Sequence, residues 1–513
     1  MRKEKAKKII VNEKKIILIL FLIFLLLAFL AYDPKPALGG DNIHYLLLAQ
    51  SLISFKGYKD LWHPQEKPHT QYPFGFPLLI IPFLLIFGKD SLFLNILPLI
   101  FFILSFFLVY KIFEKWKFKY LLLSLFFFSP LVVENSHVLL SEPPFIFFSL
   151  LTLFFFLRWE ETKKIKYFLF SSSSATFAFF IRTAGISLVL ALLIYFLIKK
   201  RYLYLLILFL IFFLPFFAWQ ERNRKIANEV SYLAQFLQKN PYQPELGNIN
   251  FSEYLARFLK NFYLYNFLIM PKICYFKESP PPIWQFFIGI LTIIFIIMGS
   301  YFLIKKKTSL NLFIFLYFLL SSLIILSWPE VWTSERFLFP FLIFLFYITI
   351  IGGEKIFYKL KINFLAYLFL SFLFLFYLIK NLQIIKENLP NTIKNFSGDK
   401  YAGYPIDWQN YFKVLKWAKD NLPQEAIIVS RKPEFTYFIS QRKSVLYLFS
   451  TEPQKVLKKM IADKADYLLY DNFYWTLTSQ KYLLPVLKIY PEYFELVYQT
   501  PPPKMELFKI KKN

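Results

Sequence analysis

"IILILFLIFLLLAFLAYDPKPALGGDNIHYLLLAQSL", residues 16–52, joins an uncharged apolar run to a short polar turn and a second helix-length stretch. Roughly 20 apolar residues cross the hydrocarbon core of a bilayer, so residues 16–32 read as a membrane span rather than a core helix. A secretory leader has a shorter apolar region followed by a small-residue cleavage site. Residues 16–32 are longer than that and no clear site follows, so the segment is kept as a span. What comes after it decides the rest, because Asp41, His44 and Tyr45 fall on one face of the helix that follows the turn.

The composition agrees with a membrane protein. Of 513 residues 57% are hydrophobic and 22% aromatic, with 67 Phe, more than a soluble domain could bury. The apolar residues come in runs such as "LLLSLFFFSPLVV" (121–133) rather than in amphipathic stripes. A formal net charge of +27 would point to nucleic acid in a soluble chain. Here the positive-inside tendency explains it, and no nucleic-acid partner is expected. A single cysteine, Cys274, excludes an internal disulfide and a cysteine metal cluster, and four His argue against a His-rich metal site.

The N-terminal "MRKEKAKKIIVNEKK" is strongly basic and is placed in the cytoplasm. The next basic clusters are Lys111 to Lys119, Arg158 to Lys166, 199–201, 305–307 and Lys355 to Lys361. Keeping all of them cytoplasmic requires paired spans between them, and about 11 spans result: 16–32, 91–113, 120–134, 143–158, 167–181, 185–198, 202–218, 284–304, 309–327, 337–353 and 362–379. The run 76–88 is short and interrupted by Pro82, so it reads as an interfacial or re-entrant helix. The expected architecture is a polytopic α-helical membrane domain (1–380) in the plasma membrane, with a first outer loop (33–90) and a middle outer loop (219–283). A small extracytoplasmic α/β domain (381–513) follows, in which helix-length and strand-length patterns take turns. It carries no Gly-rich phosphate loop, and the chain shows no internal repeat.

This threading gathers polar residues at the outward span ends. Asp41 heads its helix, where aspartate also serves simply as an N-cap. Glu142 precedes Pro143 and Pro144 at the start of a span, where the helix dipole also favours a carboxylate. Arg182, in "FFIRTAG", and Arg336, beside Glu335, lie outside against the positive-inside tendency. A guanidinium suits phosphate, so an anion clamp is one reading; a Glu–Arg surface pair or snorkelling to lipid headgroups is the other. "HTQYPFGFPLL" (69–79) brings His69 and Tyr72 ahead of the interfacial helix. It shapes either a plain turn at the membrane surface or a groove for a lipid-linked ligand.

In order, "GGDNIHYLLLAQSL" (39–52), "HTQYPFGFPLLIIPFLLIFG" (69–88), "LLSEPPFIFFSLLTLFFFLRW" (139–159), "FFIRTAG" (179–185) and "SERFLFPFL" (334–342) resemble the GT-C-fold membrane glycosyltransferases. Within these they are similar to the branch of protein O-mannosyltransferases and lipid A aminoarabinose transferases. The resemblance covers about residues 1–380. It implies a GT-C-like fold, a polyprenyl-phosphate sugar donor, Asp41 as the matching catalytic aspartate of the first outer loop, and Glu142 as the acidic residue of the second. It also implies basic residues near the membrane surface that bind the donor phosphate, a role for which Arg182 and Arg336 are placed. The aminoarabinose transferases have a lysine before the proline pair of this loop; Gln71 and Tyr72 stand here instead, which argues against that particular assignment.

The expected reaction is inverting transfer of a hexosyl or pentosyl group to an acceptor hydroxyl at the outer membrane face. Asp41 would act as base, arginine would stabilise the departing lipid phosphate, and Glu142 would orient the acceptor or share a divalent ion with Asp41. His44, Tyr45, His69, Tyr72 and Glu335 complete the candidate substrate site. The acceptor (protein, lipid or glycan) and the sugar stay open, and membrane lipids surround the chain. A transporter or flippase of lipid-linked sugars is the competing class, but such proteins tend to place charges near the midplane and to repeat their halves. A membrane-anchored binding protein would not need so many spans.

Overall fold

The structure, a computed structural model, describes residues 2–39, 41–89, 92–226, 232–275, 281–473 and 477–511. The remainder of the middle loop, 227–231 and 276–280, lies outside the described residues. The chain divides into two compact units, each built from three stretches of sequence.

The first unit holds Met1–Pro34, Asn95–Lys225 and Ser252–Ile393 and is helical. Among the described residues, six helices are long and apolar enough to cross a membrane: Glu142–Thr162, Tyr202–Ile226, Pro282–Lys306, Ser309–Ser327, Glu335–Leu360 and Phe364–Phe396. Shorter apolar helices, among them Ile96–Ile112, Ile165–Ile181 and Thr183–Ile198, stand where further spans are expected. The expected span 120–134 is not one helix. Ser129 and Pro130 split it into Lys119–Phe127 and Pro130–Asn135, since proline cannot donate the hydrogen bond that would continue the first helix.

Because lipid tails compete for apolar contact, spans associate through close packing and buried polar pairs. Ser171 Oγ donates to the Thr152 carbonyl (3.0 Å), Ser321 Oγ to Ser187 Oγ (3.0 Å), and Ser149 pairs with the Tyr317 hydroxyl (3.2 Å). Pro282–Lys306 and Leu342–Leu360 cross closely through glycines on both helices. A Cβ on Gly299 would meet the Ile348 carbonyl oxygen at 2.1 Å, and one on Gly352 the Phe295 carbonyl oxygen at 2.0 Å.

The basic clusters collect at one end of this unit. Lys119 pairs with Glu13 (3.0 Å), Lys117 with Glu354 (2.5 Å), and Arg201 and Lys163 with Glu160. Tyr195 bridges Glu160 and Ser309 through its hydroxyl, while Tyr347 packs on Trp116 and donates to Asn311. Among the described residues, four helices finish at this end with a lysine in the left-handed conformation: Lys163, Lys200, Lys307 and Lys361, with φ between 49° and 56°.

The second unit holds Lys35–Leu94, Ile226–Phe251 and Lys394–Asn513. Five strands form its sheet: β1 (Ile427–Val429), β2 (Lys443–Val445), β3 (Tyr467–Tyr470), β4 (Phe494–Gln499) and β5 (Glu506–Ile510), in the order β2-β1-β3-β5-β4. The first three are parallel, and β5 pairs antiparallel with both β3 and β4. All five lie within 381–513, where the sequence pattern alternates helix-length and strand-length stretches. The first loop is not a separate piece. Ile43 and Leu47, on the helix Asp41–Ile53, share a buried core with Trp408, Tyr411, Phe412 and Phe435. The edge strand β2 is covered by the same loop: Ser444 N donates to the Trp62 carbonyl (2.9 Å) and Lys443 Nζ to the Leu61 carbonyl (2.7 Å). Burying those edge groups removes a free pairing edge.

Candidate active site

The sequence-derived site residues fall into two clusters, one in each unit. In the second unit, Asp41 opens its helix and His44 and Tyr45 follow one turn on, all three directed at the 60–76 segment. Tyr72 donates from its hydroxyl to Asp41 Oδ1 (3.1 Å). The backbone amide of Tyr72 donates to His69 Nε2 (2.7 Å). An amide can only donate, so His69 carries its proton on Nδ1 and gives it to Asp60 Oδ1 at 2.9 Å. His44 Nε2 reaches the same oxygen at 2.8 Å, and His44 Nδ1 lies 3.6 Å from Glu434 Oε1. The rings pack accordingly: His44 lies 4.6 Å from His69, and Tyr45 lies 5.0 Å from Tyr72 and 4.9 Å from Phe76.

The electrostatics follow from this geometry. Burial pulls the His44 imidazolium down, but its hydrogen bond to Asp60 and the charges of Asp60, Glu434 and Asp41 outweigh that and raise the ring above its ordinary value. Burial likewise opposes the Asp60 carboxylate, yet the hydrogen bonds from His44 and His69 hold it well below the usual carboxylate range. Asp60 therefore stays ionised between two imidazoles.

His44, Asp60 and His69 offer ligand atoms within 4.8 Å of one another, the spacing a metal ion could use. The hydrogen bonds argue otherwise. The acceptor nitrogen of His69 already takes the Tyr72 amide, so the nitrogen facing Asp60 bears a proton, not a lone pair. The trio fits a proton-ordered network better than a metal site.

In the first unit, Glu142 heads the helix Glu142–Thr162 with its side chain fully buried. Its Oε1 meets Arg182 Nη1 at 2.6 Å and Arg336 Nε at 2.5 Å. Arg182 Nη1 also donates to Ser141 Oγ (2.9 Å). Arg182 stands where the helix Ile165–Ile181 gives way to extended backbone, and Arg336 lies in the turn Glu335–Leu338. Glu142 Oε2 is buried and accepts no hydrogen bond among the described residues. Two expectations change here. The arginines do not stand as an unencumbered anion clamp, because both hold Glu142. Nor does Glu142 fit a divalent ion shared with Asp41, since two guanidinium groups at its carboxylate repel a cation. Glu335 pairs with Lys272 (3.2 Å) rather than with its neighbour Arg336.

Sequence reasoning missed Asp60, Glu434 and Ser141. Asp60 had a signal in the two histidines, which need a partner once buried; Glu434 had none, because only the fold brings residue 434 to residue 44.

Residues 71–219 match the family model described as dolichyl-phosphate-mannose-protein mannosyltransferase. No curated protein matches the chain in sequence. Among solved structures, ArnT from Cupriavidus metallidurans bound to undecaprenyl phosphate superposes with a TM-score of 0.60 at 11% identity, covering 96% of this chain and 97% of that one. The Archaeoglobus fulgidus oligosaccharyltransferase complexed with Zn and sulfate gives 0.57 at 13% identity, covering 95% and 72%. The same enzyme tethered to an acceptor peptide with the NVT sequon gives 0.54 at 12%, covering 97% and 74%. The fold is thus that of the GT-C membrane glycosyltransferases, as the sequence resemblance implies, and the chain is an integral membrane protein.

Proposed function

We propose that this chain is a glycosyltransferase that moves a sugar from a polyprenyl-phosphate carrier to an acceptor hydroxyl at the outer face of the membrane, inverting the anomeric centre. The observation that supports it most is the GT-C fold running through 96% of the chain, in which Asp41 sits within an ordered ring of His, Tyr and carboxylate groups. The basic end of the helical unit faces the cytoplasm in this reading, the chain lies in the plasma membrane with about 11 spans, and the Asp41 and Glu142 clusters face outward.

In the reaction the acceptor oxygen attacks the anomeric carbon while the bond from that carbon to the phosphate oxygen breaks. The departing lipid phosphate keeps the electron pair, and Asp41 takes the acceptor proton. Tyr72 fixes the Asp41 carboxylate by its hydrogen bond. Arg182 and Arg336 bring two positive charges against the single charge of Glu142, so that cluster retains a net cation for the phosphate. Glu142 serves to fix both guanidinium planes rather than to orient the acceptor. Tyr45, His44 and His69 shape the acceptor side, and Glu335 with Lys272 flanks the donor. The acceptor is a protein, a lipid or a glycan of the cell envelope.

The test is label transfer from a polyprenyl-phosphate sugar in proteoliposomes to envelope acceptors. Asp41→Asn is expected to abolish transfer in a folded protein. Movement of the labelled lipid across the bilayer without bond formation would replace this reading with the flippase.

A further inference from the structure

Besides sharing a buried core with the Asp41 helix, the C-terminal stretch brings charged groups to its polar N-terminal end. Directly after β1 the chain runs Ser430-Arg431-Lys432-Pro433-Glu434 into the helix Pro433–Ser440, which packs beside Asp41–Ile53. Lys432 Nζ donates to the carbonyl of Gly39, two residues before Asp41, at 2.9 Å. Glu434 Oε1 lies 3.6 Å from His44 Nδ1, at the far side of the ring from Asp60. Burial lowers the Lys432 ammonium from its ordinary value, with Arg431 adding to that and the charges of Glu434, Asp41 and Asp471 opposing it. β1 is the central parallel strand with β2 on one side and β3 on the other, so residues 430–434 lie at the carboxyl end of the strand where the sheet order reverses. Loops at such a position are where open α/β sheets present functional groups.

The contacts close into a ring. Glu434 meets His44; His44 and His69 share Asp60; Tyr72 binds His69 through its amide and Asp41 through its hydroxyl; Lys432 holds the turn from which Asp41 springs. Resting on the transferase reading above, we infer that Lys432 and Glu434 are positioning residues for Asp41, so that the segment after β1 completes the base site. Lys432 acts on the backbone that sets the Asp41 carboxylate. Glu434 acts on the His44 ring, which is faced by Asp41 from its own helix, by Asp60 and His69 from the following loop, and by Glu434 from the C-terminal stretch.

The experiment is kinetic and spectroscopic on the full chain. Lys432→Met is expected to lower kcat at least tenfold, to leave KM for the polyprenyl-phosphate sugar within twofold, and to unfold at the wild-type temperature; Lys432→Arg is expected to recover most of kcat. Glu434→Gln is expected to move the NMR titration midpoint of His44 downward, a readout that needs no turnover and decides the matter if Lys432→Met does not fold. Unchanged kcat in Lys432→Met, or an unmoved His44 midpoint in Glu434→Gln, overturns the inference. If the wild-type chain transfers no sugar while the His44 midpoint still moves in Glu434→Gln, the transferase reading fails and the ring stands.

Discussion

Removing the charge of Glu142 without changing its shape isolates what the two arginines contribute. Glu142→Gln leaves an amide against two guanidinium groups, one of them mostly buried (15% exposed) and one a third exposed. With charge centres about 4 Å apart and an effective dielectric near 20, each pair is worth roughly 4 kcal/mol of Coulomb energy before desolvation is subtracted. Breaking a buried pair from one side costs about 3–5 kcal/mol, because the partner charge is left uncompensated. Exposure of Arg336 discounts its share, so about 3 kcal/mol of destabilisation is expected for Glu142→Gln. The attribution comes from a double-mutant cycle of Glu142→Gln and Arg182→Gln, read by reversible unfolding in mixed micelles. A coupling of about 1–3 kcal/mol is expected for groups in one network. A coupling under about 0.5 kcal/mol would refute Arg182 as an energetic partner of Glu142.

Tyr72→Phe removes one hydrogen bond to Asp41 and is expected to slow transfer about tenfold, the equivalent of about 1.4 kcal/mol, with little change in unfolding temperature. Gly299→Leu places a side chain where a Cβ already meets a carbonyl at 2.1 Å; a loss of about 3 kcal/mol or failure to fold is expected, read as the yield of monodisperse protein. His44 has a folded-state pKa above its ordinary value, so its stabilisation is complete below about pH 6.5 and is lost as pH rises through the folded value. The stability gap between wild type and His44→Gln should accordingly be widest in mild acid and shrink on alkalinisation; a gap that grows with pH would contradict the network.

Much of the helical unit is legible in the sequence because lipid-facing and buried residues alike are apolar, so length and charge-free runs mark spans without knowledge of packing. The strands of the second unit are legible for a different reason: short β-branched and aromatic runs such as "EAIIVS" and "ADYLLYD" alternate with amphipathic helices. Run length fails at 120–134, where Pro130 cuts a segment whose hydropathy looks continuous. The site is legible only in its local parts. Asp41 and His44 are one helical turn apart, so spacing alone joins them. Glu434 and Lys432 are almost 400 residues from their partners, and no local pattern carries that information. Arg182 and Arg336 announce themselves as misplaced charges, but which acid they hold depends on how three helix ends meet.

Lys163, Lys200, Lys307 and Lys361 all take a backbone conformation that glycine adopts with less strain. Evolving glycine there would relax each helix end, yet lysine stands at all four. In the proposed topology, with this end of the helices cytoplasmic, charge at these corners acts earlier than packing does, while the polypeptide is still being inserted and each hairpin chooses its sidedness. Glycine at several of them together should therefore yield a folded fraction that is no less stable and a larger fraction threaded the wrong way round.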